Sequence, residues 1–279
     1  MVDTPAARRP RRHATAVVVG VFLGVHLSVP PPARADDILF EHGFEGVTSY
    51  EELFPLDYSG WTNERHTHGA NRMTVVPAAG RNGTQALRIE AVSDASPVSK
   101  ASIVWQGFDL REGDTATFEA SYFVESRGSL ADLFLMDIEC TDCWPAGSPS
   151  SNKSPGIRLS LKEREGFVAV DRGKLGHRDA PFRAGSVGWH PFPRGRWATL
   201  RWTMHLSTDD DGWSKIWLDD VLVLDARGTT LPDRDEFRKW GLELDKVRYD
   251  YIEVGVTANP GGDPVTIRLD DVRVTRHDR

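Results

Sequence analysis

The chain is poor in cysteine, in surplus positive charge and in long apolar runs, and each shortage closes a class of function. Only two cysteines occur in 279 residues, Cys140 and Cys143. A zinc site needs two further ligands, and no Cys or His pair stands nearby at the usual spacing. A thioredoxin-like role needs a βαβ context that the sequence does not offer. Acidic residues outnumber basic ones by 41 to 34, a net charge of −7. Nucleic acid is therefore not expected as a partner, because phosphate binding rests on a basic footprint. An anionic polysaccharide stays open, since it needs only a local basic groove. No repeat of 20 to 50 residues is visible, and no linker long enough to divide a domain.

The one apolar run of any length, Ala14 to Val29, falls short of the about 20 residues that a membrane span requires. It follows Arg8, Arg9, Arg11 and Arg12 and precedes a Pro-rich stretch ending Ala33-Arg34-Ala35. Basic head, apolar middle and small-x-small end are the parts of a cleavable export signal. Residues 1–35 are therefore expected to be removed, leaving a secreted, extracellular or periplasmic protein with no membrane span. Five arginines leave with this leader, so the remainder is more acidic than the whole. Outside the cytoplasm Cys140 and Cys143 are expected to form a disulfide that pins a loop.

Residues 36–279 read as one domain of alternating strands separated by Gly, Pro, Asn and Asp clusters. Ala86 to Ala91 sets Leu87 and Ile89 against Arg88 and Glu90. Thr115 to Val124 sets Phe118, Ala120, Tyr122 and Val124 against Thr117, Glu119 and Ser121. Leu130 to Cys140 places Phe134, Met136 and Ile138 opposite Asp137 and Glu139. Gly156 to Lys162 places Ile157, Leu159 and Leu161 opposite Arg158, Ser160 and Lys162. Trp197 to Leu206 alternates Leu200, Trp202, Met204 and Leu206 with Thr199, Arg201, Thr203 and His205. Asp209 to Gly212 reads as the turn of a hairpin to Lys215–Leu224. It lacks the alternate ligands and the distal acid of an EF-hand loop. Only Pro232 to Leu244, with acids in its first turn, reads as a short surface helix. Tyr251 to Ala258 and Val265 to Val274 close the chain as strands. The expectation is an all-β jelly-roll sandwich of two antiparallel sheets.

Antiparallel sheets can keep one face wet. If these strands are neighbours, Asp137, Glu139, Arg158, Lys162, Arg201 and His205 share one polar trough. Asp137 and Glu139, two apart on one strand, point to the same side, as paired carboxylates of a glycoside hydrolase would. The position before them that such a hydrolase fills with a nucleophile holds Leu135. Trp144 and Trp189 sit in loops, where an indole can stack on a sugar ring.

Five segments, taken together, resemble a known family: Ile38-Leu39-Phe40-Glu41-His42-Gly43-Phe44-Glu45, Gly195-Arg196-Trp197, Trp217-Leu218-Asp219-Asp220, Glu253-Val254-Gly255-Val256-Thr257-Ala258-Asn259 and Leu269-Asp270-Asp271-Val272. The order of these segments is similar to that of concanavalin A-like jelly-roll proteins, in particular secreted polysaccharide lyases of the heparin lyase I and alginate lyase type. The resemblance implies β-elimination beside a uronic acid, which needs a group to neutralise the carboxylate, a base and an acid. It implies that Tyr251 to Asn259 corresponds to the late strand Tyr-Phe-Lys-x-Gly-x-Tyr-x-Gln of alginate lyases. Tyr251, Gly255 and the Asn259 amide match that strand. Thr257 stands where the family has its catalytic Tyr, and Glu253 where it has Lys. Arg158 and Arg201 are candidates to grip the carboxylate. His205 or Tyr251 is the candidate base, and Lys100 lies near a strand position where the family carries Arg. Asp137, Glu139, Lys162, Asn259, Trp144 and Trp189 are candidates for substrate binding. Separately, the Phe44-Glu45 start and the Asp270-Asp271 end resemble the arrangement by which sandwich carbohydrate-binding domains tie first to last strand with calcium. This implies a structural calcium ion at Glu45 and Asp270, since acids and carbonyls suit it. No other cofactor is expected, and the protein is expected to be a monomer.

Three functions follow from this reading. The foremost is a lyase on an extracellular uronic-acid polysaccharide. A non-catalytic carbohydrate-binding module is the second, and a jelly-roll hydrolase the third.

Overall fold

In Trp197–His205 every second side chain is buried, from Ala198 through Leu200 and Trp202 to Met204. The two-residue period of the sequence thus becomes an inner and an outer face. The computed structural model describes residues 36–57, 59–83, 85–143, 154–175, 182–183 and 189–278. The segment 1–35, read as an export signal, and Trp144 lie outside these described residues.

Fifteen strands run through the described residues. They are β1 (Asp37–His42), β2 (Asn63–His66), β3 (Arg72–Val76), β4 (Ala86–Ala91), β5 (Ser99–Leu110), β6 (Thr115–Val124), β7 (Leu133–Glu139) and β8 (Gly156–Lys162). The rest are β9 (Phe167–Asp171), β10 (Phe182–Arg183), β11 (Trp197–His205), β12 (Trp213–Leu218), β13 (Val221–Arg227), β14 (Tyr249–Asn259) and β15 (Val265–His277). One sheet has the order β13-β12-β11-β6-β15-β4-β3, with β1 added against β15. The other has the order β10-β9-β8-β7-β14-β5-β2. The pairs in both are antiparallel, as a sandwich of hairpins and long returns requires. Among the described residues one α-helix, α1 (Arg234–Trp240), occurs beside a few 3-10 turns and lies inside the segment expected to be helical. No helix among the described residues is long and apolar enough to cross a membrane.

The inner faces meet in one apolar core that includes Ile103, Phe118, Tyr122, Leu159, Trp202 and Val254. Burying each such side chain stabilises the fold by about 1.5–3 kcal/mol. The two buried tyrosines of the core keep their hydroxyls paired: Tyr122 donates to the Leu135 carbonyl at 3.0 Å and Tyr249 to the Thr230 carbonyl at 2.5 Å.

Three details differ from the sequence reading. The stretch Lys215–Leu224 is two strands, β12 and β13, joined at Asp219-Asp220. Both residues have positive φ, 50° and 64°, as a two-residue primed turn demands, and their aspartates tolerate it. Phe134 does not share a side with Met136, because the register of β7 against β8 slips between them. Phe134 leaves the core and lies beneath Arg158 and Lys162, whose charged groups sit 4.4 and 5.2 Å from its ring centre. The third difference concerns the polar trough. Strands β6 and β11 belong to one sheet and β7 and β8 to the other, so their polar faces look away from each other.

Cys140 and Cys143 form the expected disulfide immediately after β7. They pack with Leu242 and Val247, and both sulfurs lie near the Lys246 carbonyl. The link therefore ties the end of β7 to the segment that leads into β14.

Candidate active site

Strands β7, β8, β14 and β5 stand side by side, so their outward side chains form rows across one sheet. One row runs Asp171, Arg158, Asp137, Glu253. The next, two residues further along, runs Gly156, Glu139, Tyr251, Gln106. Neighbours within a row are about 4.8 Å apart, and the rows about 7 Å. Gly156 keeps room in the second row, since a Cβ there would lie 2.3 Å from the Ile138 carbonyl and 3.0 Å from Glu139 Cγ.

These rows floor a cleft of about 460 Å³. Arg65 from β2, Lys100 from β5 and Lys174 from the turn after β9 wall it, and Thr257 from β14 also lines it. Four cations face three carboxylates, so the cleft favours an anion although the whole chain is acidic. Lys174 bridges both carboxylates of β7: its Nζ donates to Asp137 Oδ2 at 2.7 Å and to Glu139. Lys100 donates to both oxygens of Glu253, at 3.0 and 3.2 Å, and Ser102 adds a third hydrogen bond. The Tyr251 hydroxyl accepts from Arg65 Nε at 3.2 Å and donates to Glu253 at 3.3 Å. Arg65 makes no salt bridge with any described acid, unlike Lys100, Arg158 and Lys174.

Environment separates the two β7 carboxyls. Burial opposes the ionisation of Asp137, but Lys174, Arg158 and Lys100 outweigh it and hold the group below the usual carboxylate range. Glu139 is pushed up to about 7 by burial and then by the charge of Asp137, with Lys174 only partly offsetting them. Lys174 titrates above the ordinary lysine range, because Asp137 and Glu139 outweigh the cost of its own burial. Burial, reinforced by Glu253, keeps the Tyr251 hydroxyl protonated well above the usual tyrosine range.

The structure thus brings together Lys100, Asp137, Glu139, Arg158 and Tyr251 from the residues singled out in the sequence. Lys162 shares their face but pairs with Asp132 at 2.7 Å, beside Phe134. Trp189 is 58% exposed and packs edge-on against Phe167 of β9, which is paired with Lys162. Arg201 and His205 are displaced from the site: they lie on the outward face of the other sheet. Arg201 is held over Trp217 and near Asp220, and His205 stacks on Trp213 and meets Thr115 at 3.1 Å. Alternation told their side of the strand but not their sheet. The Asn259 amide is likewise occupied, donating to the Val92 carbonyl just after β4 and to the Asp263 carbonyl in the β14–β15 turn. Glu45 and Asp270 lie close to Gly43 in the other sheet, where Asp270 sits on the interior strand β15. The Asp270 carboxylate accepts the backbone N–H groups of Arg81 and Asp271, both at 2.8 Å.

Glu253, Thr257, Arg65 and Lys174 are among the cleft residues that escaped the sequence reading as site residues. Glu253 and Thr257 were within reach, being two and six positions from Tyr251 on one strand and therefore on its face. Arg65 and Lys174 were not, since β2 is exposed throughout and Lys174 sits in a turn with no period to read.

Solved structures with this architecture include an endo-β-1,4-glucuronan lyase from the fungus Trichoderma reesei. It has 13% identity and a TM-score of 0.57, covering 85% of this chain and 94% of that one. An alginate lyase from Aplysia kurodai has 14% identity and a TM-score of 0.53, with 85% and 98% covered. A lysine and tyrosine double mutant of another alginate lyase, solved with an alginate tetrasaccharide, has 10% identity and a TM-score of 0.51, with 86% and 96% covered. At these identities the likeness establishes the fold. No curated protein sequence matches the chain. A family model described as polysaccharide lyase matches residues 55–242, about two thirds of the sequence and most of the strands that build the cleft. The chain belongs to the polysaccharide lyase family.

Proposed function

We propose that the protein cleaves a uronic-acid polysaccharide by β-elimination in this cleft. The observation that carries the reading is the adjacency of Glu139 and Tyr251, paired across β7 and β14 beneath the cationic wall of Arg65 and Lys100. Arg65, with no described acid to pair with, neutralises the substrate carboxylate and so makes the C5 proton acidic. Glu139, poised near neutrality, takes that proton. The Tyr251 hydroxyl, kept protonated by its surroundings, delivers its proton to the leaving glycosidic oxygen. The C5–H and C4–O bonds break, the C4–C5 double bond forms, and the tyrosinate is held by Arg65 until reprotonated. Glu253 has its oxygens engaged by Lys100, Ser102 and Tyr251, and serves to position that hydroxyl.

Two further parts of this reading concern the protein's setting. Residues 1–35 have the makeup of an export signal, which supports an enzyme acting on its polymer outside the cytoplasm. We propose further that Glu45 and Asp270 contribute to a structural calcium site, with backbone carbonyls as the remaining donors, since among the described residues no group of three or more Asp, Glu, His or Cys is gathered to hold a metal. Burial raises the Asp270 carboxyl to about 6 despite its two backbone donors, with Asp271 and Glu45 adding to the rise, a strain that a hard cation relieves. A higher melting temperature with calcium, abolished in Asp270→Asn, is the expected sign.

The direct test is incubation with alginate, glucuronan, heparin, hyaluronan and neutral glucans. Absorbance of unsaturated uronates should appear together with new reducing ends. Reducing ends without that absorbance would mean hydrolysis, and binding without either product would mean a carbohydrate-binding module.

A further inference from the structure

Five buried side-chain atoms have no hydrogen-bond partner among the described residues, and three of them line the cleft: Asp137 Oδ1, Arg158 Nε and Thr257 Oγ1. Asp137 and Thr257 are 2% and 1% exposed, so solvent does not satisfy them. A buried polar atom left unpaired is a standing cost, and a site that carries three is built for something that pairs them. Their chemistry is specific. Arg158 Nε can only donate, Asp137 Oδ1 in its ionised state can only accept, and the Thr257 hydroxyl does both. Arg158 and Asp137 are partners across β7 and β8. Neither is free to swing away: Arg158 Nη2 is bonded to Asp171 at 3.0 Å with the guanidinium over Phe134, and Asp137 Oδ2 is bonded to Lys174 at 2.7 Å.

A carboxylate cannot satisfy this set, because it brings acceptors only and would face Asp137 with like charge. An alcohol can, accepting from Arg158 Nε while donating to Asp137 Oδ1. We propose that Asp137, Arg158 and Thr257 form a hydroxyl-reading subsite, so that the enzyme requires free sugar hydroxyls beside the scissile bond and rejects stretches of the polymer whose hydroxyls are acylated. The inference rests on the lyase reading for its substrate class. It reassigns Arg158 from gripping the uronate carboxylate to recognising a ring hydroxyl, which leaves the carboxylate to Arg65. An acyl cap removes the proton that Asp137 needs and adds bulk where the cleft is walled.

The test uses alginate and glucuronan, each O-acetylated and then saponified, with cleavage followed by absorbance and binding by calorimetry. The saponified form should be favoured on the order of 10⁴-fold in kcat/KM, the scale on which a site built to hydrogen-bond a hydroxyl rejects a ligand that lacks it. Thr257→Val, close to isosteric, should lower affinity for the saponified polymer about 2- to 12-fold, the worth of one neutral hydrogen bond, and leave the acetylated form unaffected. Cleavage or binding indifferent to acetylation in the folded wild-type protein would overturn the proposal. Preferential binding of the saponified polymer without cleavage would uphold the subsite and overturn the lyase reading instead. Binding of neither form would overturn both.

Discussion

The two outward faces of the sandwich look alike in sequence and differ in how their polar atoms are satisfied. On the face of β6, β11 and β12 the charged groups lie on aromatic rings, Arg201 over Trp217 at 4.9 Å and Lys215 near Trp213 at 5.6 Å. Its hydroxyls pair among themselves, Thr117 with Thr203 at 2.7 Å and Ser121 with Thr199 at 3.0 Å. None of the orphaned buried atoms belongs to that face. On the face of β5, β7, β8 and β14, carboxylates are buried beside lysines, and three polar atoms are left without partners. One face is finished as it stands. The other leaves buried polar atoms unpaired, and that difference, not polarity, is what the proposed active site rests on.

The sharpest way to break this comparison is to alter the unfinished face. Glu139→Gln is expected to lower kcat about 10²- to 10⁴-fold, the usual range for a general base, as read from the rate of unsaturated-uronate release. Wild-type kcat/KM should rise with pH to a plateau, with its midpoint near the value of about 7 set by burial of Glu139. Arg65→Ala should reduce kcat/KM about 10- to 150-fold through loss of a charge-assisted contact to the carboxylate. Added guanidinium should recover part of it.

Stability sharpens the comparison in the opposite direction. The folded state raises the Glu139 carboxyl from an unfolded value of about 4.3 to about 7. Between those limits the folded protein binds more protons than the unfolded one. This stabilisation is therefore full below the lower value and is lost as pH rises through the upper one. Asp270, raised to about 6, acts with the same sign. Glu139→Gln should accordingly melt higher than wild type at pH 8 while losing activity, and the advantage should vanish near pH 5. A variant less stable at both pH values would remove Glu139 from the cost that the site bears. On the finished face, Arg201→Ala should cost about 0.5–1 kcal/mol in urea unfolding, the worth of an exposed cation–π contact, with kcat/KM unchanged.

The sequence carried the fold further than the site, for a physical reason. Strand alternation fixes which side of a strand is buried, so Ala86–Ala91, Thr115–Val124 and Gly156–Lys162 were legible to their end residues. Alternation says nothing about which sheet a strand joins. His205 and Arg201 were grouped with Arg158 because all three are polar positions on alternating strands, yet long-range pairing sets β11 beside β6 and β8 beside β7. Bulges erase the period as well, which is why Phe134 changed sides. Lys174 and Arg65 reach the cleft from a turn and an exposed edge strand, where no periodic signal exists. What alternation did deliver was Asp137 and Glu139 on one face of β7, whereas Tyr251 was legible only through the resemblance of its segment to the late strand of alginate lyases.

Side-by-side kinetics of Tyr251→Phe and His205→Ala on the polymer that the wild type cleaves best test the central claim most directly. Both residues are candidate bases by sequence, and the structure puts only Tyr251 in the cleft. Tyr251→Phe should lower kcat about 10²- to 10⁴-fold with KM little changed, while His205→Ala stays within about twofold of wild type. Full activity in Tyr251→Phe, or its loss in a folded His205→Ala, would contradict the placement of the chemistry on this face.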